Sequence, residues 1–238
     1  PISALQGDNV VDRSDRMPWY DGPTLLHHLE HVHVAAVRNL QDCRFPVQYV
    51  VRPQTDAHRD FRGYAGRVAG GVFKVGDDVV ALPSGQKSKV TSIAIGEKAV
   101  EMAFPPQSVV MTLADDIDLS RGDMLVRENN QPDSTQDLDA RVCWLGDQPM
   151  RAGTRYELHQ TSREAKAVVK EVVYKLDINS LHRIEDDLEI GMNDIARVRI
   201  QTAAPLLVDD YRRNRATGSF ILVDPGTRLT VAAGVLYT

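Results

Sequence analysis

The chain has 238 residues, of which 42% are hydrophobic and 26% charged, and its formal net charge of -5 gives a pI of about 5.8. This composition is typical of a folded globular protein long enough for two domains, and its acidic balance disfavours general nucleic-acid binding. No run approaches the ~18 apolar residues of a membrane span, no signal peptide opens the chain, and Cys43 and Cys143 form no CxxC motif, so we expect a cytoplasmic protein with reduced, buried thiols.

A short helix is predicted after a polar, turn-rich segment, residues 1–22. Pro23 suits the first turn of a helix, because its missing N–H would have no partner there anyway. Four apolar residues follow at helical spacing, namely Leu25, Leu26, Leu29 and Val32. This periodicity predicts an amphipathic helix over 23–31.

Two series of strands are predicted beyond the helix, because short segments rich in β-branched residues are separated by Gly, Pro or Asp. The first series covers 45–52, 63–68, 78–82, 89–95, 108–113 and 123–126. The second covers 140–145, 154–160, 165–176, 194–201, 218–223 and 228–236. Segment 165–176 has a composition that also suits a helix, but its valines and Tyr174 favour a strand. The polar run 128–137 between the series is predicted to be a linker.

Glycines punctuate two strands of the first series and indicate bulges or close approach of backbones. They are Gly63, Gly66, Gly70, Gly71 and Gly76. Because no helix follows them, they do not resemble a phosphate-binding loop. The sequence therefore predicts two antiparallel β-domains of roughly a hundred residues each.

The motif HHLEH is the most specific chemical signal in the residues themselves. His27, Glu30 and His31 fit the inverted zinc-peptidase pattern H-x-x-E-H, in which two histidines on one helix face hold zinc. The helix is only about two turns long, and His58, His159 and His182 have no paired carboxylate spacing. We therefore expect a solvated helix end and no bound zinc.

Other catalytic patterns are weaker still. Ser84 and Ser219 lie in predicted turns outside any G-x-S-x-G motif, and Cys43 near His58 is a proximity in sequence only. The acidic clusters at 115–118 and 185–188 are most simply solvated turns. We expect no catalytic residue and no metal ligand in this chain.

A resemblance to known proteins runs over nearly the whole chain. It is carried by PISALQGDNVV, MPWY, GPTLL, RFPVQYVVRP, DFRGYAGRVAGG, VGDDVVALPSG, LSRGDMLV, KLDINSL, LVDDYRRNRATGSFILVD and TVAAG. These motifs resemble the second and third domains of translation-factor GTPases of the elongation factor Tu type. Within that superfamily they are most similar to the GTPase subunits of bacterial sulfate adenylyltransferases.

The resemblance implies an all-β fold of two tandem antiparallel barrels, preceded by a short helical remnant of the GTPase domain. It divides the chain into the end of the GTPase domain (1–32), a first barrel (33–127), the linker (128–137) and a second barrel (138–238). It also implies that this chain lacks most of the GTPase domain, since it contains no G-x-x-x-x-G-K-[ST] or N-K-x-D motif.

Ser3, Ala4 and Leu5 resemble the last guanine-nucleotide motif, whose loop holds the base through a backbone N–H. The resemblance therefore implies GTP and Mg²⁺ as cofactors of the full-length protein and none in this chain. In the family, a separate catalytic subunit makes adenosine 5′-phosphosulfate and pyrophosphate from ATP and sulfate, and GTP hydrolysis drives that uphill step.

A binding module without a catalytic site is the function that follows. Its implied partners are the catalytic adenylyltransferase subunit and the GTPase domain, with self-association possible and with no membrane or nucleic-acid partner. Fusion to an adenylylsulfate kinase domain stays open. The alternatives are a translation-factor barrel module that binds aminoacyl-tRNA, and a zinc hydrolase that uses HHLEH.

Overall fold

The computed structural model describes residues 1–32, 38–53 and 61–237. It divides into two compact units, Pro1–Arg38 and Asn39–Thr238. Among the described residues, no helix combines the length and the apolar character needed to cross a membrane.

The first unit contains one regular element in its described part, the helix α1 (Leu25–His31). Thr24 caps it, since its hydroxyl accepts the backbone N–H of His27 at 3.4 Å. The first two amides of the helix donate to the amino-terminal segment, Leu25 to the carbonyl of Asn9 and Leu26 to that of Val10, both at 2.9 Å. Amides of the first turn that have no partner within the helix are thus satisfied by the segment before it. The predicted helix is confirmed over Leu25–His31, while Pro23 lies before the cap and not in the first turn.

The first barrel begins the second unit. Its described strands are β1 (Arg44–Val51), β2 (Gly63–Arg67), β3 (Phe73–Lys74), β4 (Asp78–Leu82), β5 (Gln86–Ile95), β6 (Lys98–Val100), β7 (Met102–Ala103), β8 (Ser108–Leu113) and β9 (Met124–Val126). Antiparallel pairing runs in the order β4-β9-β1-β2-β8-β5 and returns from β5 to β4, which closes the ring. Strand β6 pairs with β5, and β3 with β7.

The second barrel has the same plan. Its described strands are β10 (Asp133–Trp144), β11 (Arg155–Gln160), β12 (Arg163–Leu176), β13 (Arg183–Ile184), β14 (Ile195–Val208), β15 (Ser219–Val223) and β16 (Thr230–Tyr237). The order β11-β15-β16-β10-β14-β12 is closed by pairing of β11 with β12, and β13 extends β12. The all-β prediction with two barrels is confirmed.

Each barrel encloses its own apolar core. Phe45 and Met111 are fully buried in the first core, and Leu158 and Leu222 in the second. Burial alternates along β10 and β11 of the second barrel, as strands with one face toward a core require.

The structure decides one open choice and lengthens two predicted strands. Segment 165–176 lies within β12, so the strand interpretation is confirmed over the helical one. Strand β10 begins at Asp133, so the last five residues of the predicted linker 128–137 belong to a strand. Strand β14 continues to Val208, past the predicted end at 201.

A bulge explains the longer strand. The β10–β14 register jumps from Thr135 opposite Leu206 to Asp137 opposite Gln201, so 202–205 bulge out of the ladder. Pro205 lies in this bulge, where no ladder amide is needed. The bulge thus accommodates a proline inside the strand, beyond the predicted end at residue 201.

Both cysteines are free thiols, as predicted. Cys43 is fully buried, and burial raises the pKa of its thiol. Cys143 is only half-buried, so the prediction that both thiols are buried holds for one of them.

Candidate functional site at the junction of the barrels

The residues predicted to contact a guanine base lie in an exposed turn. The amide of Ser3 donates to the carbonyl of Asp8 at 3.1 Å, and the amide of Gly7 donates to the carbonyl of Ser3 at 2.8 Å. Ala4 and Leu5 form the tip, and the Leu5 side chain is 94% exposed. The turn is therefore formed and accessible, while its role in base binding stays a prediction.

Hydrogen bonds of Asp8 and Asn9, which the sequence-based interpretation did not consider, fix the conformation after this turn. Asp8 accepts the Ser14 hydroxyl at 2.6 Å and Arg16 Nη2 at 2.7 Å, and these two groups lower the pKa of its carboxyl. Asn9 has φ of 54° and accepts the Ser14 amide at 2.9 Å. The dipeptide Asp-Asn after Gly7 was the available signal, because both side chains fold readily onto nearby backbone.

The HHLEH helix does not present a metal site in the described residues. The rings of His27 and His31 stack with centroids 4.1 Å apart, and His31 Nδ1 lies 2.8 Å from the carbonyl oxygen of His27. No group of three His, Cys, Asp or Glu side chains in the described ranges is placed to hold a metal ion. His58 lies outside the described residues.

The serines and acidic clusters considered in the sequence have structural partners. The hydroxyl of Ser84 donates to the Ala81 carbonyl at 3.2 Å, and that of Ser219 to the Arg215 carbonyl at 2.7 Å. In the acidic clusters, Arg62 binds Asp116 and Asp118, and Lys175 lies 3.5 Å from Asp187. Neither serine is oriented by a base in the described residues.

Charged residues do meet in the interior, where the two barrels join. Arg44, at the start of β1, donates Nε to Asp209 Oδ2 and Nη2 to Asp209 Oδ1, both at 2.8 Å. The two side chains are only 1% and 4% exposed. Thr217 adds a hydroxyl donor to Asp209 at 2.6 Å. A bidentate, hydrogen-bonded geometry of this kind is what a buried ion pair needs.

A second ion pair lies beside the first. Asp42 accepts Arg213 Nε at 2.6 Å and Nη2 at 2.7 Å, and the amides of Asn39 and Asn130 donate to it at 2.5 and 2.6 Å. The Arg213 guanidinium, with the two amides, holds the pKa of the Asp42 carboxyl well below its usual range. The Asp42 side chain is 5% exposed and Arg213 is 59% exposed, so this pair reaches the surface.

Asn130 connects the two ion pairs. Its carbonyl and its side-chain oxygen accept Arg44 Nη1 at 2.7 and 2.9 Å, while its amide nitrogen donates to Asp42. Asn130 lies in the short segment between β9 and β10, which is the chain connection from one barrel to the other. The connection is therefore fixed to both barrels by side-chain hydrogen bonds.

The loop 209–218 between β14 and β15 supplies the second barrel's half of the junction. Asn214 shapes it by accepting the amides of Ala216 and Thr217, and it donates to the carbonyl of Ala69 in the first barrel at 3.2 Å. A Cβ on Gly70 would lie 2.4 Å from the carbonyl oxygen of Asp42, so only glycine lets these two backbone segments beside the loop come so close together. Close approach is one of the roles predicted for these glycines.

Apolar contact supports the same junction. Val80, Leu82, Met124 and Val126 form a buried cluster in the first barrel, and Leu207 of the second barrel packs against it. We call the ion pairs Arg44–Asp209 and Asp42–Arg213 with Asn130 the inter-barrel junction. Sequence reasoning did not identify its charged members as a site, because Arg44 and Asp209 are 165 positions apart in the chain.

Comparison with known proteins agrees with this architecture. Residues 137–237 match the family model described as GTP-eEF1A C-terminal domain-like. A solved structure of sup35 complexed with GMPPNP superposes with a TM-score of 0.74 at 22% identity, covering 99% of this chain and 57% of that one. At this identity the likeness establishes the fold alone.

Relatives of known name are much closer in sequence. The bifunctional enzyme CysN/CysC of Mycobacterium tuberculosis is 52% identical over 99% of this chain and 39% of the relative. Sulfate adenylyltransferase subunit 1 of Bacteroides thetaiotaomicron is 44% identical over 99% of this chain and 50% of the relative. That of Bacteroides fragilis is 45% identical over 99% and 48%. The chain thus spans two-fifths to one half of the length of these curated relatives.

The linked barrels have the fold of the matched part of the sup35 structure, and residues 137–237 match the GTP-eEF1A C-terminal domain-like family. In sequence, the chain is similar over 99% of its length to proteins named sulfate adenylyltransferase subunit 1 and CysN/CysC.

Proposed function

We propose that this chain is the two-barrel part of the GTP-dependent subunit of sulfate adenylyltransferase. The whole subunit couples GTP hydrolysis to the formation of adenosine 5′-phosphosulfate and pyrophosphate from ATP and sulfate. The observation that carries this proposal is 44–52% identity over 99% of the chain to proteins named sulfate adenylyltransferase subunit 1 or CysN/CysC.

The geometry supports a mechanical role for the barrels. Two buried or nearly buried carboxylates, Asp42 and Asp209, are each bound by an arginine from the other barrel. A small sliding of the barrels would break the Arg44–Asp209 pair while both groups stay shielded from water, and an unpaired charge in such an interior costs several kcal/mol. The barrels therefore move together, and a displacement imposed on one is transmitted to the other.

Nucleotide would be held mostly by residues outside this sequence. The turn Ser3–Leu5 fits a contact to the base, but the chain contains no G-x-x-x-x-G-K-[ST] segment for phosphates and Mg²⁺. We propose that residues 1–32 complete a GTPase domain and are followed by a first barrel over 33–127 and by a second barrel that begins with β10 at Asp133. The catalytic adenylyltransferase subunit is the proposed partner.

A reconstitution tests this function. The chain is added to the catalytic subunit of the same organism, and complex formation is measured by sedimentation velocity, with the full-length GTPase subunit as the positive control. We expect a complex weaker than that of the full-length subunit, and sulfate-dependent pyrophosphate release that GTP does not stimulate. Absence of any complex, or GTP-dependent stimulation by this chain alone, would contradict the proposal.

The runner-up function is a translation-factor module that binds aminoacyl-tRNA. It rests on the shared fold alone, because the sup35 structure is only 22% identical. Filter binding with charged tRNA separates the two, since retention of charged but not uncharged tRNA would favour the runner-up.

A further inference from the structure

A groove runs along the second unit where the two barrels meet. It consists of two adjoining depressions of about 410 and 500 Å³, which share Thr161, Arg215 and Ala216. The smaller depression is lined from both barrels, with Arg67 on the first and Arg215 on the second. The larger continues over the second barrel past His159 and Tyr211.

The charge of this groove is opposite to that of the chain as a whole. The formal net charge is -5, yet the described residues that line the groove include two arginines and no aspartate or glutamate. Arg67 and Arg215 are both exposed. A local positive surface on an acidic protein attracts anionic groups, which the net negative charge of the protein repels elsewhere.

The two arginines also keep their charge available. Arg67 donates Nε to the carbonyl of Pro106 at 3.1 Å, and the Arg215 guanidinium lies over the Tyr211 ring, 5.8 Å from its centroid. Within the described residues neither forms an ion pair, whereas Arg213, two residues before Arg215, is bound by Asp42. The loop 209–218 thus places Arg213 in the junction and Arg215 in the groove.

The floor between the arginines is apolar. Pro46, Val68, Ala69 and Pro106 line the first-barrel side, and Phe220 lies on the second-barrel side. Prolines and small residues give a rigid surface with little entropy to lose on binding. An occupant must therefore combine negative charge with apolar side chains in an extended shape.

We propose that this groove binds an extended acidic segment of a partner protein, with its carboxylates on Arg67 and Arg215 and an apolar side chain over Pro46 and Pro106. A nucleic acid is disfavoured, because backbone tracking needs a longer run of cations than these two arginines provide. The inference rests on the chemistry of the groove and holds whether or not the sulfate adenylyltransferase proposal is correct.

The test uses fluorescence anisotropy with a labelled acidic peptide, in which glutamates flank a central leucine. Parallel titrations use a peptide with lysine in place of glutamate and a single-stranded oligouridylate of matched length. We expect the acidic peptide to bind, and its affinity to fall about tenfold or more in Arg67→Glu/Arg215→Glu and on raising ionic strength. Arg151→Glu is the matched control, since Arg151 is exposed and outside the groove lining.

Three outcomes would overturn the proposal. They are no saturable binding of the acidic peptide, an affinity unchanged by the double substitution, and tighter binding of the oligouridylate that the double substitution abolishes. Because both arginines are exposed, the variants are expected to keep the wild-type unfolding midpoint, and circular dichroism checks this.

Discussion

Arg44 and Asp209 stand 165 positions apart in the chain and form a bidentate ion pair between the two barrels, with both N–O distances at 2.8 Å and both side chains almost fully buried. Thr217 and Asn130 complete the hydrogen bonding of the pair. The junction therefore contains charges that are stable only while the barrels stay in contact.

Removing one member of this pair is expected to be strongly destabilising. Asp209→Asn leaves the Arg44 guanidinium buried without a counter-charge, which costs about 3–5 kcal/mol. Urea unfolding measures the loss. Glu171→Gln is the control, because it breaks the exposed Arg199–Glu171 pair and is expected to cost less than about 1 kcal/mol.

The apolar replacement separates charge from packing. Arg44→Met combined with Asp209→Leu removes both charges together, so much of the lost stability is expected to return. If the double variant were as unstable as Asp209→Asn, the unpaired guanidinium would not be the cause.

Acid is expected to weaken the junction through Asp42. Arg213, Asn130 and Asn39 lower the pKa of Asp42 in the folded protein. A group whose folded pKa is depressed contributes stability above its unfolded value, about 3.9 for Asp, and loses that contribution as the pH falls through the folded value. Asp139, whose pKa Arg197 lowers, acts in the same direction.

Asp42→Asn tests that dependence. The variant is expected to be less stable than wild type at pH 7, and the difference is expected to narrow as the pH falls below about 4. Thermal unfolding across this range provides the measurement. A difference that stayed constant down to pH 2 would show that the carboxylate charge does not contribute.

The sequence predicted the barrels better than it predicted their junction. Strands such as 63–68 and 108–113 were predictable because short segments rich in β-branched residues and bounded by Gly, Pro or Asp are local signals. The pair Arg44–Asp209 joins residues far apart in sequence, and each alone resembles an ordinary surface charge. Strand β14 was predicted too short because the bulge that accommodates Pro205 depends on its partner β10.

The candidate site was predictable only in part. The motif at 207–224 was noted for its resemblance to known proteins, and it contains Asp209 and Arg213 of the junction. Their roles could not be derived from spacing, because Asp42 and Arg44 are brought to them by the closure of the first barrel.

Nucleotide binding by this chain is expected to be very weak. Phosphate and Mg²⁺ contacts supply most of the affinity for GTP, and the exposed turn Ser3–Leu5 provides only a base contact. Calorimetry with GTP and Mg²⁺ is expected to show no saturable heat at micromolar concentrations. Micromolar affinity that Asp8→Ala abolished would instead show that the turn is sufficient.

Zinc is not expected to bind stoichiometrically. His27 and His31 stack on each other, and no third ligand joins them in the described residues. Elemental analysis of the purified chain provides the measurement, with His27→Ala as the comparison. One zinc per chain that this substitution removed would restore the hydrolase hypothesis.

Self-association through α1 is expected at high concentration. None of the helix residues is buried, and Leu25, Leu26 and Leu29 are 37%, 41% and 60% exposed. Each leucine that a second copy covered would contribute up to about 1.5–3 kcal/mol, so a small apolar surface of this kind favours a weak dimer. Leu26→Asp places a charge in that contact and is expected to shift sedimentation velocity toward the monomer.

Leu145→Asp is the matched control, because Leu145 is 43% exposed but lies in the second unit. Association that Leu145→Asp weakened and Leu26→Asp left unchanged would assign the contact to the barrels instead of the helix.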